Sequence, residues 1–135
     1  MIVMIKRKVD LLYGDLTYKI RGAVFAVHKT LGSGHKELIY HKALSVELKK
    51  QGLKFVEEKP IPIKYEKIKV GVYRPDFVIE DKIIIEIKAV SFMVKNHLEQ
   101  MKHYLIATDY KLGLLINFGT RKAQIKRIIY DKTKD

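Results

Sequence analysis

The sequence predicts an α/β domain, a mixed β-sheet with helices packed against it. Three observations predict it. Two stretches before residue 52 and one after residue 95 carry apolar residues at helical spacing, while the segments between and after them read as strands. The order helix, helix, strands, helix, strands is that of an α/β chain. Residues 110–117 are apolar on both faces, as expected of a strand at a sheet centre.

The chain has 135 residues without repeats or a Gly/Ser/Pro-rich linker, so residues 15–135 form one domain behind a basic segment, 1–14. That segment holds Lys6-Arg7-Lys8 and no clear period, and reads as a short strand or a loose arm. Asp15 is placed to cap a helix over 15–31, with Leu16, Ile20, Ala23, Val24, Val27 and Leu31 along one stripe. Gly32-Ser33-Gly34 ends it. His28 lies at the edge of this stripe, where a histidine more often makes a structural hydrogen bond than does chemistry.

A second helix is expected over 35–51, stopping at Gly52. At 100° per residue Glu37, Tyr40, His41, Leu44 and Leu48 share one side, which places Glu37 on the buried face. Burying that carboxylate unpaired is costly, so something positive must meet it. Glu37 is also in the first turn, where the helix dipole alone favours an acid. Both readings stay open.

Residues 55–58, then Ile61, Ile63 and Tyr65, form an outer strand region, with Pro60 and Pro62 marking an edge or a bulge. Glu66-Lys67 turns the chain and 69–73 returns it. Residues 77–79 are a strand, Glu80-Asp81 a turn and 82–90 a second strand. Side chains two apart on a strand point to one face, so Glu86 and Lys88 share a side opposite Ile85, Ile87 and Ala89. Antiparallel pairing brings Asp76, directly after Pro75, to that same end. Two carboxylates and an ammonium then converge beside an apolar sheet. Such carboxylates can hold a hard divalent cation, with the lysine orienting water or stabilising phosphate charge. The alternative is a cross-strand salt bridge. Further on, Asn96 and Glu99 form a capping box for a helix with Leu98, Met101 and Leu105 on its core side, while His97, Gln100, Tyr104 and Ala107 form another stripe. Strands over 110–117 and 124–130 close the chain, and Arg121, Lys122, Lys126 and Arg127 are placed to line a nucleic-acid track.

Composition narrows the function. Hydrophobic residues make up 47%, enough for a core, yet no apolar run can span a membrane and the N-terminus lacks a signal peptide's apolar stretch. The absence of cysteine excludes disulfides and thiolate metal sites and fits a cytoplasmic protein. The +12 net charge favours a polyanionic partner, nucleic acid, over a merely lysine-rich surface. Five scattered histidines argue against a zinc hydrolase, and there is no Gly-rich phosphate loop.

Pro75-Asp76 followed by Glu86-Ile87-Lys88 matches the PD-(D/E)XK nuclease signature. Val27-His28-Lys29-Thr30-Leu31-Gly32-Ser33-Gly34-His35-Lys36-Glu37-Leu38-Ile39-Tyr40 resembles the signature of the GxxExxY family, a branch of that superfamily, and His28 matches that family's histidine. His97-Leu98-Glu99-Gln100-Met101-Lys102-His103-Tyr104 contains the Gln-x-x-x-Tyr of RecB-type nucleases, and 112–118 resembles the family's closing strand. The resemblance implies a restriction-endonuclease-like core and metal-dependent cleavage of nucleic acid, DNA ahead of RNA. It implies that Asp76, Glu86, the Ile87 carbonyl and Glu37 bind Mg²⁺ or Mn²⁺, with Lys88 positioning the attacking water. Gln100, Tyr104, Arg74 and His97 would contact substrate. A non-catalytic binding module and a Holliday-junction resolvase are the rival readings, and a homodimer stays open.

Overall fold

Residues 83–88 and 112–117 are branched and apolar enough to be buried on both sides, and they become the middle of the sheet. The computed structural model describes residues 12–131. In chain order the elements are α1 (Gly14–Leu31), α2 (Glu37–Lys50), β1 (Phe55–Glu57), β2 (Ile61–Tyr65), β3 (Ile68–Tyr73), β4 (Phe77–Ile79), β5 (Ile83–Lys88), α3 (Lys95–Ala107), β6 (Leu112–Asn117) and β7 (Gln124–Ile129). Five strands form one sheet in the order β1-β4-β5-β6-β7, and β2-β3 form a separate ribbon. Only the β5–β6 pairing is parallel, the others being antiparallel, so the sheet is mixed. α3 supplies the crossover that a parallel pair requires.

Alternation along the strands divides the core in two. Phe77, Ile79, Ile83, Ile85, Ile87, Leu112, Leu114 and Ile116 pack against α1 and α2 through Ile20, Val24, Tyr40, Leu44 and Leu48. Val78 and Ile84 face the other way, towards Met101 and Leu105 of α3. Gly113 allows α3 to lie this close, since a Cβ there would run into the Met101 thioether. Helices therefore cover both faces of the sheet. Every residue of β6 is buried, as its apolar pattern requires.

Several local expectations are corrected. α1 begins at Gly14 behind Tyr13, whose φ of 56° is left-handed, and no side chain caps it. Asp15 lies inside its first turn. The Asn96/Glu99 box does not form either, because α3 starts at Lys95 with extended Val94 as its uncapped N-terminus. α2 starts at Glu37, two residues later than its period suggests. Tyr40 explains the delay: its hydroxyl donates to the Gly32 carbonyl (2.6 Å) and accepts from the His35 amide (3.2 Å), holding the connection extended. The Glu80-Asp81 and Glu66-Lys67 turns form as expected, each with two left-handed residues. The basic cluster Lys6-Arg7-Lys8 lies outside the described residues. Among the described residues no helix is long and apolar enough to cross a membrane.

Candidate active site

The β4–β5 register pairs Phe77 with Ile85 and Val78 with Ile84. One step further along the ladder, Asp76 stands across from Glu86. By alternation Asp76, Glu86 and Lys88 share the sheet face that Val78 and Ile84 present to α3. All three are part-buried, while Ile85 and Ile87 on the other face are fully packed. The convergence expected from spacing is present.

Glu86 Oε1 accepts a 2.7 Å hydrogen bond from the hydroxyl of Tyr73, the last residue of β3. Burial pushes the Glu86 carboxyl up to about 7, with the Asp76 charge adding to the rise, while the Tyr73 hydroxyl and Lys88 oppose it. The Tyr73 phenol is pushed up in turn by burial and by the Glu86 charge. Its ring stacks on Tyr104 of α3 at a centroid distance of 3.6 Å, and the Tyr104 hydroxyl accepts from Gln100 Nε2 at 3.4 Å. A continuous chain of contacts thus runs from exposed Gln100 through Tyr104 and Tyr73 to Glu86.

Asp76 is held from two sides. Its Oδ2 accepts a 2.7 Å bond from the backbone N–H of Ile87, which locks the carboxylate to the middle of the Glu86-Ile87-Lys88 segment. Its Oδ1 lies 3.2 Å from His41 Nδ1, and the other ring nitrogen of His41 lies 3.0 Å from Glu57 Oε1. The imidazole also stacks on Phe77 at 4.4 Å. Each carboxylate oxygen has a second lone pair, so these bonds leave Asp76 able to bind a cation.

The exit of β5 is strapped down. Fully buried Asn117 accepts from the Val90 amide and donates to the Val90 carbonyl, both at 3.0 Å, and its Oδ1 also accepts from the Gly119 amide. A Cβ on Gly119 would overlap the Val90 backbone. Ala89 and Val90 therefore leave the ladder, and β5 ends at Lys88 rather than at residue 90.

Among the described residues none of Glu37, Arg74 and His97 is hydrogen-bonded to Asp76, Glu86 or Lys88. Residues 37–39 are exposed and Tyr40 is the first buried residue of α2, so Glu37 is not on the buried face. The helix reaches Asp76 one turn later, through His41. Arg74 is exposed. His97 is part-buried, with its Nδ1 enclosed and lacking a partner among the described residues. Arg127 does not join a cationic track: it donates to the Leu12 carbonyl, and burial lowers its pKa. Arg121, Lys122 and Lys126 are exposed as expected. His28 binds the Thr120 carbonyl at 2.9 Å, the geometry of a structural hydrogen bond.

The sequence profile of the PD-(D/E)XK nuclease superfamily matches residues 14–128. The chain belongs to that superfamily. Its substrate class is accordingly nucleic acid, and the mixed sheet flanked by helices is the PD-(D/E)XK architecture. Among solved structures it is similar to an alkaline exonuclease from Laribacter hongkongensis, at 14% identity and a TM-score of 0.44, covering 92% of this chain and 73% of that one. No curated protein matches it.

The oxygen donors of this cluster are of the kind that suits a hard divalent cation. Among the described residues no group of three or more His, Cys, Asp or Glu side chains is arranged to hold a metal. A pair of carboxylates beside backbone carbonyls is nonetheless a set that Mg²⁺ accepts, because it keeps several waters. Burial first, and the Asp76 charge second, disfavour an ionised Glu86 when no cation is bound. Tyr73, His41 and Asn117 were not picked out as site residues by sequence reasoning. Only His41 left a signal, one helical turn beyond Glu37 on the same stripe.

Proposed function

We propose that this chain is a metal-dependent nuclease of the GxxExxY branch that hydrolyses phosphodiester bonds, DNA ahead of RNA. The observation that carries the reading is the meeting of Asp76 and Glu86 across β4 and β5 on the face of Lys88, where burial and the neighbouring Asp76 charge raise the Glu86 carboxyl. Asp76, Glu86 and the Ile87 carbonyl would hold Mg²⁺ or Mn²⁺, with exposed Glu37 the outermost candidate ligand. The bound ion would supply an acidified water and neutralise charge on the phosphate. Lys88 orients the attacking water and stabilises developing charge. Gln100 and Tyr104 hold the substrate backbone from α3, and Arg74 and His97 are further contacts at the rim. The +12 charge supports a polyanionic substrate, and the cysteine-free composition supports a cytoplasmic setting.

The test is a panel of labelled single- and double-stranded DNA and RNA, incubated with Mg²⁺, Mn²⁺ or EDTA. Parent protein is expected to cut in metal and not in EDTA. Asp76→Asn and Glu86→Gln should lose cleavage by orders of magnitude while still binding, and Lys88→Ala should slow it with metal binding largely kept. Equal rates for all four proteins, or cutting that ignores EDTA, would overturn the assignment. Binding without any cleavage would favour the non-catalytic module.

A further inference from the structure

The β2–β3 ribbon contributes little to the core it springs from. Its base is anchored, with Ile61 paired opposite Tyr73 and both buried. Beyond the irregularity between Ile63 and Lys64, every residue from 64 to 70 is exposed. The left-handed pair Glu66-Lys67 closes a tight two-residue turn that keeps the strands together. The two sides of this arm differ. Lys64 is paired opposite Lys69, a like-charge arrangement that destabilises a ribbon. Among the described residues no hydrogen bond or ion pair reaches the side chain of Lys64, Lys67 or Lys69. On the other side Tyr65 is paired opposite Ile68, and the two are 66% and 67% exposed. A folded domain has no internal use for an unneutralised lysine pair backed by an exposed aromatic. A polyanion with planar bases does.

The arm is also continuous with the active site. Its last residue, Tyr73, donates to Glu86, and Asp76 follows three residues later. At about 3.3 Å per residue, the tip lies on the order of 15–20 Å along the ribbon from Tyr73. That is several nucleotides from a phosphate held at Glu86.

We propose that the β2–β3 ribbon is a docking arm for nucleic acid beyond the cleavage point, with Lys64 and Lys69 on backbone phosphates and Tyr65 against a base or sugar. This rests on the nuclease reading and deepens it: the enzyme would favour substrates long enough to reach from the cleavage point to the hairpin tip.

The experiment compares parent, Lys64→Ala/Lys69→Ala and Tyr65→Ala on a labelled DNA too short to reach the tip and on a longer one, each single- and double-stranded. On the longer DNA the double variant should raise KM roughly tenfold with kcat preserved, and lower the slope of log affinity against log salt by about 2, the loss of two phosphate contacts. Tyr65→Ala should raise KM most on whichever strand form lies against the arm. On the short DNA all three proteins should act alike. Because the residues are exposed, melting temperatures should match the parent or rise for the lysine pair. Parental KM and salt slope on the longer DNA would overturn the arm alone, as would equal losses on both lengths. A parent that neither binds nor cuts DNA or RNA would overturn the nuclease reading and the arm together.

Discussion

The β4–β5 hairpin has carboxylates at both ends, and the fold treats them in opposite ways. At the turn, exposed Asp81 accepts from the Tyr110 hydroxyl at 2.7 Å and from Lys59 at 3.2 Å. Those two partners hold its carboxyl below the usual range. At the strand end, Glu86 also accepts from a tyrosine at 2.7 Å, yet its carboxyl is pushed up to about 7. Both acids have a phenol. What differs is mainly burial: Asp81 is exposed beside Lys59, whereas Glu86 is part-buried beside a second carboxylate and Lys88 only partly opposes the rise. A tyrosine hydroxyl cannot by itself offset burial beside a like charge. At one end the phenol and Lys59 lower the carboxyl, and at the other burial outweighs the phenol and Lys88.

The largest effect that would sharpen this contrast is on stability. Without metal, folded Glu86 keeps its proton up to about pH 7, whereas the unfolded chain releases it near 4.5. Across that window the native state binds the extra proton, so its stability falls as pH rises. The shift corresponds to on the order of 3 kcal/mol at most. The parent's melting temperature should therefore drop between about pH 4.5 and 7, relative to Glu86→Gln, and Mn²⁺ should restore it. A parent and variant with parallel pH profiles would erase the contrast.

The second effect concerns the two tyrosines. Tyr73→Phe keeps the stack on Tyr104 and removes only the bond to Glu86. Loss of such an outer partner should weaken metal affinity and cleavage by about 10–100-fold. Tyr110→Phe, at the paired end, should cut at the parental rate. Equal behaviour of the two variants would mean that Tyr73 merely packs.

The smallest effect is at Glu37. As an exposed acid in the first turn of α2, it should contribute about 0.3–1 kcal/mol through the helix dipole, and Glu37→Gln should cleave within a few-fold of the parent. A loss comparable to that of Glu86→Gln, measured alongside Mn²⁺ affinity, would return Glu37 to the metal site.

Much of this was legible in the chain because it is local. Alternation along 83–88 placed Glu86 and Lys88 on one face, and helical spacing put Gln100 beside Tyr104. What escaped depends on contacts between distant segments. His41 meets Asp76 across 35 residues and Tyr73 meets Glu86 across 13, and no period encodes either pair. Glu37 was expected on the buried face and is exposed, because a helical stripe says which residues share a side, not how far along the helix burial extends. The capping pattern at Asn96 failed for a related reason. α3 starts at Lys95 behind extended Val94, one residue before Asn96, so neither Asn96 nor Glu99 stands at the position the pattern requires.

The strap itself has a consequence during biosynthesis. Asp76, Glu86 and Lys88 leave the ribosome well before Asn117, whose side chain holds the Val90 backbone from 27 residues downstream. A nascent chain can therefore carry every charged group of the site while the end of its central strand is still unmoored. The site would be complete only once β6 has docked beside β5 and the buried amide has closed on its loop.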